Sequence, residues 1–223
     1  MVKKIYLSPS DQDYNAYAVG NTNEAVQCRK IAVALVDALE RCGFQVKTDI
    51  TDKATMYDRV RQSNEWGADL HIAIHTNAFD GNVKGTRLFC YSKTGEGYRA
   101  CTAVMAALAP ITPGESDSIT VHHFYEVKNA NAATVYLEVA FHDNKEEAAW
   151  IIDHIDEIAE AVCQGVCDHY GVDYVNPQPQ TQPQESDKWY RVQVGAFRNK
   201  SYAEALLKKL QAAGYADAYI REG

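Results

Sequence analysis

The 223-residue chain lacks any apolar run long enough to cross a membrane, since a spanning helix needs about 20 consecutive apolar residues. Apolar segments such as IAVALVDALE are interrupted by acidic residues. The N-terminal MVKKIYLSPS carries two lysines but not the apolar core of a secretion signal. We therefore expect a protein without a membrane span that is synthesised in the cytoplasm without a signal peptide.

An excess of positive charge is also missing. Lys and Arg number 22 against 30 Asp and Glu, which gives a formal charge of −8. This balance disfavours nucleic acid or an anionic bilayer as a partner. With 46% hydrophobic and 23% charged residues the chain has a globular composition, and its length predicts one full domain plus an appendage.

No C-x-x-C pair occurs in the sequence, so nothing in the cysteine spacing indicates a structural zinc site. The six cysteines are scattered through apolar patterns, and we interpret them as buried free thiols. They are Cys28, Cys42, Cys90, Cys101, Cys163 and Cys167.

Three of the six prolines fall within residues 175–188, where they alternate with glutamine. Proline removes backbone donors and favours extended geometry, so this segment predicts a linker. It divides the chain into a body, residues 1–174, and a C-terminal piece, residues 189–223.

The body alternates short β-rich runs with helical patterns, which predicts an α/β fold with a mostly parallel sheet flanked by helices. The predicted strands are KKIYLSP, 44–48, 70–74, 85–91 and 136–141. The predicted helices are 24–42, 56–66, 98–108 and 145–170. Sheets of this kind bind ligands at the carboxyl ends of their strands.

The C-terminal piece predicts a short βαβ appendage. Its strand pattern at 190–197 is followed by a helical pattern at 201–213 and a second strand pattern at 217–220. At 35 residues, from 189 to 223, it is marginal for independent folding.

Three residues of the body could carry chemistry. His75 ends the HIAIH strand at the edge where ligands bind, and it is either an ordinary polar residue or a metal ligand. Glu138 lies inside the apolar VYLEVAF strand, as a salt-bridged structural acid or as a general base. Glu24 opens the first helix, where an acid favours the helix dipole or binds a metal.

The topology allows these three side chains to converge at one edge of the sheet. An imidazole with carboxylates suits zinc, which takes nitrogen and oxygen ligands and keeps one position open for water. The grouping therefore predicts a zinc hydrolase.

The body resembles the zinc-dependent N-acetylmuramoyl-L-alanine amidases (amidase type 3 family) over nearly all of residues 3–170. The resemblance is carried by SPSDQDYN, Glu24, the Arg59 to Asn64 segment, ADLHIAIHTNA, KGTRLFCYS and TVYLEVAFHDNKEEAAWI. It implies zinc binding by Glu24 and His75 and a catalytic role for Glu138.

One loop departs from that family, which usually supplies a zinc-binding histidine in a D-P-G-H-G sequence. The matching residues here are SPSDQ, which puts Asp11 at the ligand position. A carboxylate is an acceptable zinc ligand. The alternatives are Gln12, Asp13, His122, His123 and His142.

The resemblance implies that zinc activates water to hydrolyse the amide between N-acetylmuramic acid and L-alanine in peptidoglycan, with Glu138 as general base. Two alternatives stay open. The missing loop histidine fits a catalytically inactive protein that binds peptidoglycan or regulates a cell-wall hydrolase, and the same chemistry fits a zinc hydrolase of a non-wall amide.

The tail resembles the first half of a sporulation-related (SPOR) repeat, a peptidoglycan-binding module, through its VQVGAF run. Half a sheet leaves an unpaired edge, which predicts a mobile tail or self-association through it. An enzyme of the wall without a signal peptide would reach its substrate through a phage holin as an endolysin, through lysis of a sporulating mother cell, or by non-standard export.

Overall fold

The computed structural model describes residues 2–51, 53–177, 194–215 and 218–220. The chain divides into two compact units, Met1–Pro177 and Gln178–Gly223. The division falls inside the predicted linker, of which residues 178–188 lie outside the described residues. Each unit is considered by itself below.

The first unit is a six-stranded sheet with helices on both faces, so the predicted α/β fold class is confirmed. In chain order its elements are β1 Lys4–Pro9, α1 Glu24–Arg41, β2 Gln45–Thr48, α2 Met56–Trp66, β3 Leu70–Asn77, β4 Arg87–Cys90, α3 Glu96–Leu108, β5 Ser118–Val121, α4 Tyr125–Asn129, β6 Ala133–Phe141, α5 Lys145–Asp153 and α6 Ile155–Tyr170.

The strand order is β2-β1-β3-β6-β4-β5. Every neighbouring pair is parallel except β4 and β6, which are antiparallel. The carboxyl ends of β1, β3 and β6 therefore meet at one edge of the sheet, and β4 begins at that same edge.

Because β4 is reversed, the loop 78–86 runs from β3 to β4 without leaving that edge. It is tied to the chain that follows β6. Phe79 and Gly81 donate their backbone N–H groups to Oδ2 of Asp143 over 2.8 and 2.9 Å, and Gly85 donates to Oε1 of Glu147 over 2.7 Å. The loop thus spans the end of β6.

One face of the sheet is apolar and is covered by α1, α3 and α6. Along each strand, residues of this face alternate with residues of the other face, as a pleated strand requires. Each buried Leu or Ile side chain stabilises the folded state by about 1.5–3 kcal/mol. Helices α3 and α6 pack closely at Gly165, where an added Cβ would lie 2.5 Å from the Cα of Val104. Only glycine fits there.

The opposite face presents the chemistry-bearing side chains. Strands β1, β3 and β6 place on it Tyr6, Ser8, His71, Ala73, His75, Tyr136 and Glu138. Helices α2 and α4 pack against this face. The period-two prediction that His71, Ala73 and His75 share a face is confirmed by the register.

Two parts of the sequence prediction differ from the structure. The helix predicted over 145–170 is two helices, because the backbone of His154 leaves the helical region with φ −123° and ψ 32°. His154 is the C-cap of α5 and the N-cap of α6. Strand β5 and helix α4 were not predicted. With four and five residues they are too short to show a clear hydrophobic period.

All six cysteines are free and buried, as predicted. Among the described residues, none of the helices has the length and apolar content to cross a membrane.

In the second unit the described residues contain one helix, α7 Lys200–Ala212, which confirms the helix predicted at 201–213. Asn199 caps it by accepting the N–H of Ser201 over 3.0 Å. For the predicted strands, residues 190–193 and 217 lie outside the described residues, and the described parts, 194–197 and 218–220, are not strands.

Candidate functional site

The start of α1 carries Glu24 to the carboxyl-end edge of the sheet. Asn23 is the N-cap of this helix and accepts the N–H of Val26 over 3.0 Å. Glu24 therefore sits in the first turn, and its carboxylate faces inward with only 1% of the residue exposed. Its Oε2 accepts the side-chain amide of Asn15 over 2.6 Å.

The structure brings Glu24 and His75 together. Oε1 of Glu24 lies 2.9 Å from Nδ1 of His75, which is 3% exposed at the end of β3. Burial alone would raise the pKa of Glu24, but the hydrogen bonds with His75 and Asn15 outweigh it and lower that pKa. Two of the three residues assigned to the site thus form one buried pair.

Glu138 stands beside this pair, opposite His75 in the register of β3 and β6. Its Oε2 is buried and has no hydrogen-bond partner among the described residues. Burial raises the pKa of Glu138 to about 7; the charge of His75 lowers it and that of Glu24 raises it. Near neutral pH this carboxyl group can both take up and release a proton.

Of the residues in the loop after β1, Gln12 and not Asp11 lies next to the Glu24–His75 pair. Nε2 of Gln12 lies 3.4 Å from Nδ1 of His75, while its Oε1 accepts from the side-chain amide of Asn15 over 2.9 Å and from the Tyr14 hydroxyl over 3.2 Å. Oδ2 of Asp11 instead accepts the backbone N–H of Met56, at the start of α2, over 3.0 Å. Of the two loop positions, the structure brings Gln12 to the Glu24–His75 pair and directs Asp11 to α2.

Asp11 also lines a separate cavity of about 350 Å³. Asp13, another alternative for the loop ligand, lines the same cavity, with Arg29 and Arg59 among its other walls.

The three other candidate histidines have different contacts. Nδ1 of His142 lies 2.9 Å from the hydroxyl of Thr76 and 3.1 Å from its carbonyl oxygen. His122 and His123 are exposed, and Nε2 of His123 lies 3.1 Å from the carbonyl oxygen of Tyr91. These contacts favour structural or surface roles.

A buried acid that the sequence analysis missed, Glu126 of α4, completes the group. It is 1% exposed, and its Oε2 lies 3.4 Å from Nε2 of His75. Its Oε1 accepts from Ser8 and lies 3.2 Å from Nε2 of His71. Burial would raise the pKa of Glu126, but the hydrogen bonds with His71 and His75 lower it to about 2. The only sign of Glu126 in the sequence is that an acidic residue stands directly between Tyr125 and Val127.

The imidazole of His75 is thus held between two carboxylates. Burial lowers its pKa, but the hydrogen bonds to Glu126 and Glu24 outweigh burial and raise it to about 10. The ring also stacks on Tyr136, with centroids 4.5 Å apart and planes 13° from parallel. Tyr136 in turn stacks on Phe124 at 4.6 Å. The orientation of the imidazole is therefore fixed on both edges and on one face.

The charge and chemistry of this group fit a divalent cation. Three carboxyl groups, those of Glu24, Glu126 and the half-buried Glu138, gather around the imidazole of His75, and a second imidazole, that of His71, lies against Glu126. Buried charges of this kind are stable only when paired or bound to a metal. A carboxylate oxygen and an imidazole nitrogen are standard zinc ligands, and rotation of the Gln12 side-chain amide would add a neutral oxygen.

A second group of possible metal ligands lies away from this edge. The sulfur atoms of Cys42, Cys163 and Cys167 are within 4.8 Å of one another, with 3.7 Å between those of Cys42 and Cys163. Burial raises the pKa of the Cys163 thiol strongly and that of Cys167 to about 12. A metal at this cluster would have to displace the thiol protons, because the thiolate is the ligand.

Comparison with known families gives two matches. The profile of the N-acetylmuramoyl-L-alanine amidase family matches residues 8–168, which include every residue of the group described above. The profile of the SPOR domain matches residues 170–222.

Individual relatives agree with the first match. The chain is 23% identical over 224 residues to the sporulation-specific N-acetylmuramoyl-L-alanine amidase of Bacillus subtilis, covering 95% of this chain and 82% of that protein. The fold is similar to the catalytic domain of CwlV, an N-acetylmuramoyl-L-alanine amidase from Bacillus (Paenibacillus) polymyxa, with a TM-score of 0.69 at 17% identity, covering 77% of this chain and all of that one.

It is also similar to the CwlD amidase of Clostridioides difficile, solved in complex with the GerS lipoprotein. There the TM-score is 0.63 at 19% identity, and the match covers 77% of this chain and all of that one.

Proposed function

Because this chain belongs to the N-acetylmuramoyl-L-alanine amidase family, we propose that it hydrolyses the bond between N-acetylmuramic acid and L-alanine in peptidoglycan with a zinc ion held by Glu24, His75 and Gln12. In this proposal Glu138 carries the proton. The observation that supports it best is the distance of 2.9 Å between Glu24 and His75, with the unpartnered carboxyl oxygen of Glu138 opposite them.

Glu24 and His75 would hold the metal through a carboxylate oxygen and Nδ1 of the imidazole. Gln12 would add its amide oxygen after the amide rotates, since in the metal-free structure its nitrogen faces His75 and its oxygen accepts from Asn15. A bound zinc ion would supply positive charge that polarises a carbonyl group and makes water more acidic. This ligand set carries one negative charge, so it reduces the charge of the metal less than a set with Asp11 would.

Glu138 moves the proton of the reaction. Its Oε2 takes a proton from the attacking water as the water oxygen bonds to the lactyl carbonyl carbon. It then delivers that proton to the alanine nitrogen as the carbon–nitrogen bond breaks, which leaves a free amine and a lactyl carboxylic acid that loses its remaining proton to solvent. The group must be ionised for the first step and protonated for the second, and in the metal-free protein burial raises its pKa to about 7.

The SPOR match in the C-terminal unit supports a role in binding peptidoglycan. We place the enzyme at the cell wall. The description of the Bacillus subtilis relative as sporulation-specific favours a role in a sporulating cell.

Digestion of purified cell wall by the full-length chain tests the reaction. The proposal requires new alanine amino groups without new reducing sugar ends, loss of this activity with a chelator and its return with zinc. Glu138→Gln should lower the rate by a factor of about 10² to 10⁴ while it keeps one equivalent of zinc. New reducing ends, or full activity in Glu138→Gln, would contradict the proposal.

Zinc stoichiometry separates the enzyme from the inactive binder that the absent loop histidine suggests. One equivalent of zinc that His75→Ala removes and Cys163→Ala does not remove supports the enzyme. Zinc lost only in Cys163→Ala would assign the metal to the cysteine cluster. A chain that binds no zinc but retains binding to peptidoglycan would support the binder.

A further inference from the structure

We propose that Glu126 is a positioning residue of the metal site, which holds His75 so that Nδ1 faces Glu24 and Gln12. This inference rests on the proposed function, because it assigns Glu126 a task toward the zinc that His75 would bind. It adds a residue that neither the family resemblance nor the sequence pattern had marked.

The two nitrogens of His75 face different surroundings. Nδ1 lies 2.9 Å from Oε1 of Glu24 and 3.4 Å from Nε2 of Gln12. Nε2 lies 3.4 Å from Oε2 of Glu126. Nδ1 is therefore on the side of the proposed ligands, and Nε2 points away from them into the protein.

An ionised carboxylate can only accept hydrogen bonds, so Glu126 favours the imidazole form that carries a proton on Nε2. A neutral imidazole has a single N–H, which leaves the lone pair on Nδ1. This is the form that a metal needs at Nδ1, and a carboxylate behind a ligating histidine also makes the imidazole more basic. Zinc binding would thus displace the Nδ1 proton and leave the Nε2 proton on its bond to Glu126.

Glu126 is itself held by a second set of contacts. Ser8 donates to its Oε1, and Nε2 of His71 lies 3.2 Å from the same oxygen. Both side chains project from the sheet face that carries His75, one from β1 and one from β3. The carboxylate consequently has fixed partners on the far side as well as on the side of His75.

Helix α4 has only five residues, so it depends on tertiary contacts for its position. Asn64 of α2 supplies two of them. Its amide donates to the carbonyl oxygen of Asn129 over 2.9 Å, and its Oδ1 accepts the N–H of Asn131 over 2.7 Å. Val127 packs with Ala73 and Tyr136 on the sheet. These contacts hold Glu126 against β3.

The first test compares zinc dissociation constants of the full-length chain by competition with a chromophoric chelator. Glu126→Gln should weaken zinc binding by about 10-fold to 100-fold, the usual effect of losing such a partner. Glu147→Gln is the matched control, because Glu147 is also a buried carboxylate, bonded to the backbone N–H groups of Gly85 and Phe141. It should lower stability and leave zinc binding unchanged.

The second test measures an NMR signal whose chemical shift would not change through general destabilisation of the protein. In zinc-loaded protein labelled with ¹⁵N-histidine, His75 should show an Nε2 proton at low field in slow exchange with water. This proton should shift upfield in Glu126→Gln and keep its position in Glu147→Gln.

Wild-type zinc affinity and an unshifted proton in a folded Glu126→Gln would overturn the inference while the proposed function stands. Wild-type protein that binds no zinc at His75 would overturn both. Should Glu126→Gln fail to fold, Glu126→Asp decides instead, because its shorter side chain keeps the charge but withdraws it from Nε2. Zinc binding weaker by at least about tenfold supports the inference, and unchanged binding refutes it.

Discussion

Nδ1 of His75 lies 2.9 Å from Oε1 of Glu24, although 51 positions separate the two residues in the chain. The contact joins the first turn of α1 to the end of β3. Apolar packing in the interior of the fold fixes the positions of α1 and β3. This packing, which lies far from the polar atoms of Glu24 and His75, therefore fixes the pair. The proposed zinc site is therefore as rigid as the sheet and α1.

The loop residues give a first prediction. Gln12→Ala should weaken zinc binding on the order of tenfold or more, equivalent to about 1.4 kcal/mol. Gln12→His should strengthen it by a similar factor, because imidazole is the more usual zinc ligand. Isothermal titration calorimetry with zinc measures both changes.

Asp11→Asn is the control for this pair. It removes charge from the start of α2, where Asp11 accepts the N–H of Met56, and should lower the free energy of unfolding by about 0.5–1 kcal/mol. Zinc binding should not change. A loss of zinc in Asp11→Asn together with full retention in Gln12→Ala would return the ligand role to Asp11.

Zinc affinity should rise with pH. The hydrogen bonds with Glu126 and Glu24 raise the pKa of His75 to about 10, so at neutral pH the metal must displace a proton from Nδ1. One displaced proton makes the affinity rise roughly tenfold per pH unit between about pH 6 and about pH 8.

The number of protons released per zinc, from calorimetry in buffers of different ionisation enthalpy, checks this value directly. A release close to zero would contradict the protonation of His75 at neutral pH.

Glu138→Gln should stabilise the metal-free protein at neutral pH. The folded-state pKa of Glu138, about 7, lies above its unfolded value of 4.5, because burial disfavours the charge. The contribution of this carboxyl group is therefore fully present below about pH 4.5 and is lost as the pH rises toward 7. Glutamine does not titrate, so the advantage of the variant should grow across that interval to at most about 3 kcal/mol.

Urea unfolding at several pH values, with zinc removed, measures the difference between the two proteins. An advantage that is constant over pH would show that Glu138 titrates normally in the fold.

The contact between α3 and α6 gives a prediction about stability alone. Gly165→Ala should lower the free energy of unfolding by about 3 kcal/mol, because the new methyl group would overlap with Val104. Gly43→Ala places a methyl group in open space at φ +88°, and should cost only about 1 kcal/mol of backbone strain. Equal losses in the two variants would contradict close packing at Gly165.

Much of this arrangement could be predicted from the sequence, because periodic patterns determine it. Alternation in HIAIH put His71 and His75 on one face, and the apolar run around Glu138 marked a buried acid. The chain order of strands and helices then brought Glu24 to the same edge. Each of these features depends on regular secondary structure, whose geometry is known in advance.

The remaining features depend on irregular or very short segments. Whether Asp11 or Gln12 turns toward His75 is decided by the loop after β1, where Asp11 bonds instead to the start of α2. Glu126 lies on a five-residue helix that shows no measurable period. The break at His154 interrupts a pattern that is hydrophobic on both sides. None of these outcomes follows from local sequence preference.

Because β4 runs in the reversed direction, the loop that borders the candidate site can change in length. Loop 78–86 leaves β3 just after His75 and stays at the edge of the site, where Asp143 and Glu147 anchor it through backbone N–H groups. These anchors bind backbone groups of the loop, so they do not depend on which side chains lie between them. Doubling the length of a loop costs only about 0.6 kcal/mol in closure entropy. This segment can therefore gain or lose residues, and with them contacts to a long polymeric ligand, while the hydrophobic interior of the enzyme stays as it is.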